Sequence, residues 1–481
     1  MTAVGGDAPI LAGLLSACVP FVAGWPLSGL SPRVFRSSLV SRLAMAWLLG
    51  AAWCGVLALA ASRVAGLPMR RTTLLPIVVL PLVLWAFGRT RDLGFVRPRR
   101  PSHPGVVAGV VAAATGGLLV LGALSWPVFD WDGRMTWSPL ARLVRMERTA
   151  TPSALTDPWA WTSHPRYPPL VALVQVTGLE IVSAPEDERS GRAVHPLFFV
   201  SFLAILFRAV RVLSRSPGAA AIATSLASST PFLAFETHGG AAGAFSDMPL
   251  AALLGAALAV VLLGRAGIRT GAVAGLLLAA AVLTKNEGLP LALWLLLAAA
   301  ALAAAGLRAC PGPARRARFR RVVLTAVPIA LFVGSSVLLL EAFRDPIPNR
   351  YDEDYGAVLA NARLEPLVMA KKAASVLPLL LAELTRVRYW GLLWPLLGFL
   401  AVLFPRALSG RAAFSAAALL AGPLGLGFVV YSIHWDPLGL ADTTLNRFLV
   451  QGSFGAFLLL GLLLAAGLRR PLPGPPPKTV P

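Results

Sequence analysis

The sequence predicts an all-helical membrane protein that crosses a bilayer about thirteen times. Of its 481 residues, 57% are hydrophobic and only 14% are charged, whereas about a quarter of the residues in a soluble domain are charged. The mean hydropathy is +0.72. No soluble core could bury this much apolar surface, so most of the chain must use lipid as its solvent. This composition excludes a cytosolic enzyme, a secreted disulfide scaffold and a disordered protein.

Apolar runs of about 17 to 22 residues mark the segments long enough to cross the bilayer. The run at 270–284 is short and rich in alanine, which leaves the count open by one or two. The predicted spans are 9–30, 42–62, 72–88, 104–126, 193–213, 217–235, 247–264, 270–284, 288–307, 322–342, 388–405, 411–433 and 448–468.

The charges predict which ends of these spans face the cytoplasm. With a cytoplasmic C-terminus, the cytoplasmic loops carry 24 of the 43 basic residues and one of the 22 acidic residues, as the positive-inside rule favours. The other 21 acids lie on the opposite face, which we therefore expect to carry the chemistry. The net charge of +21 then reflects loops held against anionic lipid. We expect no nucleic-acid partner.

The spans and loops divide the chain into four regions. Within the loops, 168–184 and 365–383 are apolar runs interrupted by polar residues, and we expect both to be helices lying along the membrane surface. The regions are N-terminal transmembrane helices at 1–103, a transmembrane core at 104–307 with a first outer loop at 127–192, a C-terminal transmembrane region at 308–468 with outer loops at 343–387 and 434–447, and a proline-rich cytoplasmic tail at 469–481.

The first outer loop holds two groups of candidate functional residues. Asp130 and Asp132 directly follow the fourth span, where a carboxylate can act as a general base or bind a divalent cation. The alternative is an interfacial loop whose aspartates are simply solvated. Farther along, His164, Arg166 and Tyr167 lie among three prolines, which would hold them in a defined place for substrate binding. The alternative is a rigid connector whose polar residues face water.

Two further outer segments carry ionisable residues close to the membrane. Glu236 and His238 end the sixth span, and Asp247 begins the seventh, where the helix dipole favours an acid. Simple helix capping is the alternative for this region. Lys285 and Glu287 join the eighth and ninth spans, and such residues are costly near lipid unless they are paired or face water. A salt-bridged turn and a phosphate-binding site are both consistent with that pair.

The order of these motifs resembles the C-type glycosyltransferase superfamily (GT-C). The likeness is strongest to its protein O-mannosyltransferase and aminoarabinose-transferase branch. It lies in an Asp motif in Phe129–Asp132, a His-Pro motif in His164–Pro169, an Asp-Met-Pro-Leu motif in Asp247–Leu250, a Thr-Lys-x-Glu-Gly turn in Thr284–Gly288 and an Asn-Arg-Phe motif in Asn446–Phe448. The resemblance runs from about residue 104 to 300, and more loosely to 468.

The resemblance implies a membrane glycosyltransferase with an extracytoplasmic active site, typically in a bacterial inner membrane. Its donor would be a polyprenyl-phosphate sugar, and its acceptor an unidentified glycan, lipid or protein. The first-loop acid of the family corresponds to Asp132 or Asp130, with Asp132 preferred, and the second acid corresponds to Asp247. Some members use a divalent cation, so the metal requirement stays open. The arginine that often precedes the second acid is replaced here by Ala244-Phe245-Ser246.

Physical chemistry supplies roles for the remaining candidates. Sugar transfer with inversion needs a carboxylate opposite the leaving group, and a lipid-phosphate leaving group needs cations where charge develops. Lys285 and Arg447 are predicted to bind that phosphate; alternatively, Arg447 snorkels from a helix end. The rival functions are a transporter or lipid-linked sugar flippase, which would place ionisable residues near the membrane midplane, and a non-catalytic scaffold.

Overall fold

The fold is a bundle of α-helices, seen here in a computed structural model. The structure describes residues 8–87, 103–157, 159, 163–184, 187–349, 365–434 and 436–468, and these contain no β-strand. The predicted tail at 469–481 and part of the second outer loop, 350–364, lie outside the described residues.

Sixteen helices of ten residues or more build the bundle within the described part of the chain. In chain order they are α1 (Ala8–Ser28), α2 (Leu39–Arg63), α3 (Arg71–Phe87), α4 (His103–Ser125), α5 (Ser138–Glu147), α6 (Leu170–Ile181), α7 (Val194–Ser214), α8 (Pro217–Ser229), α9 (Asp247–Leu263), α10 (Ile268–Val282), α11 (Gly288–Arg308), α12 (Gly312–Arg344), α13 (Pro366–Leu384), α14 (Leu393–Leu403), α15 (Arg411–Ile433) and α16 (Pro437–Leu468).

The all-helical membrane architecture predicted from composition is confirmed. Eight helical segments in the described residues are long and apolar enough to cross a membrane, and five shorter apolar helices accompany them. Every predicted apolar run coincides with helix in the described residues, although the run at 217–235 is divided between α8 and Pro231–Ala234, and the run at 388–405 between Val387–Trp390 and α14. The count of thirteen crossings stays a prediction, because α3 and α9, with 17 residues each, are at the lower limit for a span, and the other three shorter helices have 15 residues or fewer.

Helix α16 forms the centre of the bundle. Of its most apolar stretch, 89% is buried inside the protein, and it packs against α7, α8, α9 and α15. The ring of Phe454 meets Phe202 of α7 edge to face, with 5.4 Å between centroids. Glycines allow other helices to approach closely: a Cβ on Gly24 or Gly50 would overlap the backbone across the α1–α2 contact. Small residues serve this purpose between membrane helices.

The helix predicted over 168–184 is present as α6, but protein rather than a membrane surface covers it. Every residue from Leu170 to Leu179 is buried, against α1, α2 and α5. Its polar residues find partners inside: Gln175 Nε2 lies 3.3 Å from His195 Nε2, and Arg145 Nε donates to Glu180 Oε1 at 3.0 Å. Satisfied polar groups can enter a core, so they gave α6 the appearance of an amphipathic surface helix.

Candidate active site

The candidate site forms where four elements reach the same end of the bundle. Asp132 follows the end of α4, Asp247 begins α9, Lys285 and Glu287 occupy the turn between α10 and α11, and Arg447 lies in the third turn of α16. Chain connectivity explains the meeting of α9 and α10, because consecutive antiparallel helices return to the level at which the first began. The long α16 supplies its charge from within the bundle rather than from a loop.

Five ionisable side chains, here called the charged cluster, make direct contacts. Lys285 Nζ lies 2.7 Å from Asp247 Oδ1 and 2.9 Å from Glu287 Oε1. Arg447 donates from Nε to Asp247 Oδ2 at 2.9 Å and from Nη2 to Asp132 Oδ2 at 2.7 Å. Three carboxylates therefore face two cations, and the cluster carries one net negative charge. The sequence-predicted phosphate ligands and both preferred acids occupy one place.

Asp247 is the fixed anion of the cluster. Its side chain is 0% exposed, and Oδ1 also accepts a hydrogen bond from Gln451 Nε2 at 2.7 Å. Three side chains thus bind its two oxygens, at the N-terminus of α9 where the helix dipole favours negative charge. Removing one partner of a buried ion pair leaves a charge without compensation. We therefore expect Asp247 to organise Lys285 and Arg447.

Asp132 is held much less firmly than Asp247. Its side chain is 15% exposed, and Arg447 supplies its ion pair. It lies between the exposed Trp131 and a π-helical turn at Gly133–Trp137. π-Helical turns are rare and often occur at functional sites. Asp132 and Glu287, at 15% and 18% exposed, are the two carboxylates of the cluster that are not fully buried, and Asp132 is the one of these paired with Arg447.

Asp130 fastens two outer segments together instead of joining the cluster. Oδ1 accepts from the backbone N–H of Gly133 at 2.8 Å, and Oδ2 accepts from that of Ala244 at 3.1 Å. Burial raises the pKa of Asp130, while those two N–H donors and nearby Arg192 oppose the shift. A Cβ on Gly133 would lie 2.7 Å from the Cβ of Ala244, so a glycine is needed there for close approach of the protein's own chain.

The His-Pro segment is joined by Arg344 to the turn that carries Lys285. His164 has a left-handed backbone, with φ of +47°, and its ring stacks on Tyr167 with 4.5 Å between centroids. Tyr167 is close enough to Arg447 to interact with it electrostatically. Arg344 donates to the carbonyl of Arg166 at 3.1 Å. It also donates to Asn286 Oδ1 at 2.6 Å, beside Lys285.

The segment between α8 and α9 covers the other side of Arg447. The guanidinium carbon of Arg447 lies 4.7 Å from the ring centroid of Phe245, a cation–π arrangement. Glu236 and His238 reach the surface here, with His238 Nδ1 3.3 Å from Glu236 Oε1 and 68% of the histidine side chain exposed. They are therefore neighbours of the cluster's outer face and make none of its ion pairs.

Sequence reasoning missed two residues of this region. Gln451 lies four residues after Arg447, on the same helical face, and a lone glutamine in an apolar span was the available signal. Arg192 donates to the carbonyls of Trp126, Pro127 and Ala242 at 3.1, 2.8 and 2.6 Å. Its position just before an apolar run resembled an ordinary membrane-flanking arginine, and carbonyl partners distant in sequence leave no pattern.

Within the described residues, the charged cluster is not arranged as a metal site. Arg447 lies between Asp132 and Asp247 and takes one oxygen from each. Across the described residues, no three His, Cys, Asp or Glu side chains are placed to hold an ion together. Two cavities, of about 530 and 860 Å³, lie away from the cluster; Arg134, Arg142 and Arg145 line the smaller. The ionisable side chains of the cluster are paired with one another.

Comparison with known proteins gives one structural likeness. No family model matches the chain, and no curated protein matches it. The structure is similar to a crystal structure of an oligosaccharyltransferase from Archaeoglobus fulgidus, in complex with zinc and sulfate, at a TM-score of 0.42 and 15% sequence identity. The match covers 75% of this chain and 49% of the archaeal chain, so this chain spans about half the length of that protein.

Proposed function

We propose that the protein is an integral-membrane glycosyltransferase that moves a sugar from a polyprenyl-phosphate donor to an acceptor on the extracytoplasmic face. The observation that carries this proposal is the charged cluster itself. A loosely held acid, Asp132, and two cations, Lys285 and Arg447, meet at one end of a bundle of apolar helices. Sugar transfer from a lipid phosphate needs a base, a cationic site for the leaving group and access from lipid.

Phosphate binding and release of the base are coupled in this proposal. The cluster already has an excess of negative charge, so an incoming phosphate would displace a carboxylate, and we assign this exchange to Arg447. Asp247 is fully buried and held by three side chains, whereas Asp132 is partly exposed and pairs with Nη2 alone among the described contacts. The phosphate therefore takes the place of Asp132, which becomes free to accept a proton.

Once the phosphate has replaced Asp132 on Arg447, the transfer step can follow. The acceptor hydroxyl oxygen attacks the anomeric carbon of the sugar, and its proton passes to Asp132. The bond between the anomeric carbon and the phosphate oxygen breaks, and its electron pair leaves with polyprenyl phosphate. Lys285 and Arg447 stabilise the charge that develops there. Attack opposite the leaving group inverts the anomeric configuration. The acceptor, whether glycan, lipid or protein, approaches through the first outer loop.

The rival function is a transporter or flippase, and no observation favours it. An ion pathway would need ionisable side chains within the helices, and here the five paired charges gather at helix ends and in the third turn of α16. A bare salt-bridged scaffold would use Asp132 only as a counter-charge. The proposed transferase and the scaffold therefore differ in whether sugar transfer depends on Asp132.

The test measures sugar transfer by the purified protein. Radiolabelled polyprenyl-phosphate hexoses and pentoses are presented singly, with membranes from cells lacking this protein as acceptor. Asp132→Asn should reduce transfer by about a hundredfold or more, as expected for loss of a general base. Asp442→Asn is the matched control, because this exposed acid lies on α16 five residues before Arg447. Full activity in both Asp130→Asn and Asp132→Asn would remove the first-loop acids from the mechanism.

A further inference from the structure

A large cavity opens at the end of the bundle opposite the charged cluster. It has a volume of about 860 Å³, within the roughly 300–1,000 Å³ typical of ligand sites. Parts of α9, α10, α11 and α12 line it, mostly with alanine and leucine. We propose that this cavity binds one anionic phospholipid, whose acyl chain lies against the apolar wall and whose phosphate contacts Arg318, Arg321 and Arg411.

Protein covers little of the surface of two helices that line the cavity. Only 17% of the most apolar stretch of α11 and 22% of that of α12 are buried by protein, compared with 89% for α16. Apolar walls such as Leu295, Leu302 and Ile329 give water no hydrogen-bond partners, so a hydrocarbon chain is the better occupant. Because the helices are apolar and exposed, lipid is also the molecule that surrounds them.

Charge specifies the head group. Three arginines line the cavity, and none of its lining residues is acidic. Arg318 Nη1 lies 3.2 Å from the Sγ of Cys310, a weak partner. The side chains of Arg321 and Arg411 make no ion pair or hydrogen bond within the described part of the chain. An anionic phosphate could pair with all three cations. Basic pockets between membrane helices on the cytoplasmic side commonly bind anionic lipid head groups in this way.

Distance separates this lipid from the proposed sugar donor. On α9 the lining begins at Ala257, ten residues from Asp247, and on α10 and α11 it begins at Leu278 and Leu295, seven and eight residues from Lys285 and Glu287, which is about 10–15 Å along a helix. It continues to Gly264 and the turn before α10, the end that the charge distribution assigns to the cytoplasm. A donor phosphate has to reach Arg447 at the other end. The occupant is therefore a second lipid, and its binding does not depend on the proposed transferase function.

Native mass spectrometry of the purified full chain tests the proposal. Phosphatidylglycerol is the probe, and phosphatidylcholine with the same acyl chains is the head-group control. We expect the triple variant Arg318→Gln, Arg321→Gln, Arg411→Gln to lose phosphatidylglycerol affinity by tenfold or more. The matched control replaces Arg315, Arg316 and Arg320 by glutamine, because these neighbours on α12 do not line the cavity.

A second readout locates the lipid. Cys310 lines the cavity, so in a Cys18→Ala, Cys54→Ala background phosphatidylglycerol should slow its maleimide labelling by threefold or more. Equal binding of both phospholipids, equal losses in the two triple variants, or unprotected Cys310 would each overturn the proposal. Stronger protection by polyprenyl phosphate than by phosphatidylglycerol would overturn it too, since the cavity would then hold the donor lipid.

Discussion

If phosphate replaces Asp132 on Arg447, substitution of Asp132 and substitution of Arg447 should have opposite effects on donor binding. Arg447 Nη2 donates to Asp132 Oδ2 at 2.7 Å. If a lipid phosphate replaces that carboxylate, Asp132→Asn removes a competitor and should tighten binding of polyprenyl phosphate. Arg447→Ala and Lys285→Ala remove ligands of the phosphate and should weaken it. The same Asp132→Asn protein should be nearly inactive, so affinity and turnover would change in opposite directions.

The structure sets the size of this effect. A hydrogen bond to a charged group contributes about 1.5–3 kcal/mol, and both partners here are only 15% exposed. Asparagine keeps a weaker, neutral hydrogen bond to Arg447, so we expect about half of that contribution to be recovered. This corresponds to roughly three- to tenfold tighter binding. Loss of either cation should weaken binding by roughly ten- to a hundredfold, from about 1.5–3 kcal/mol per charge-assisted contact.

The assay is equilibrium binding of polyprenyl phosphate to the purified variants in detergent, with thermal unfolding measured alongside. Asp442→Asn serves as the control for a change of charge on the same face of the protein. Reduced affinity in Asp132→Asn would refute the exchange, since the carboxylate would then assist binding. Unchanged affinity in both cation variants, with lower thermal stability, would show that Lys285 and Arg447 form only a structural ion-pair network.

Three other outcomes are expected. Arg344→Lys should lower turnover by about tenfold with little change in unfolding temperature, because a single ammonium nitrogen does not reproduce the separation of the Nε and Nη2 donors that bind the Arg166 carbonyl and Asn286; a wild-type rate would contradict this. Gly133→Ala should cost about 1–3 kcal/mol of stability by overpacking, measured by thermal unfolding against Gly117→Ala, where a Cβ meets open space. Single cysteines at Ser163 and Ser409 in a cysteine-free background should label from opposite sides of intact vesicles, and labelling from one side would disprove the predicted topology.

Much of the fold could be predicted because lipid imposes a simple rule on sequence. Backbone groups in hydrocarbon must bond internally, so each long apolar run must be helical. The span count was harder, since α9, with 17 residues, is at the lower limit for a crossing, and α10, with 15, is below it. The environment of α6 could not be predicted either. Its Gln175 and Glu180 look like a polar face in sequence, and only the folded chain supplies the partners that allow them to be buried.

The candidate site shows the same division between local and distant information. The meeting of Asp132, Asp247, Lys285 and Arg447 at one end of the bundle was predictable, because each is an ionisable residue at the edge of an apolar run. There were weaker grounds in the sequence for deciding which of the two first-loop acids joins the cluster. Asp130 and Asp132 are only two residues apart in sequence. Their different roles depend on the backbone N–H of Ala244, which donates to Asp130 and lies far away in the sequence.

Helix α16 carries Arg447, one of the two proposed phosphate ligands, and is the most buried of the long apolar helices, whereas the segment proposed to face an acceptor is an outer loop. Donor recognition is therefore built into the scaffold, and acceptor recognition can vary without disturbing it. Grafting a foreign first loop onto this bundle should redirect the transferred sugar to a new acceptor, provided that Asp132 and the hydrogen bonds of Asp130 with Gly133 and Ala244 are retained.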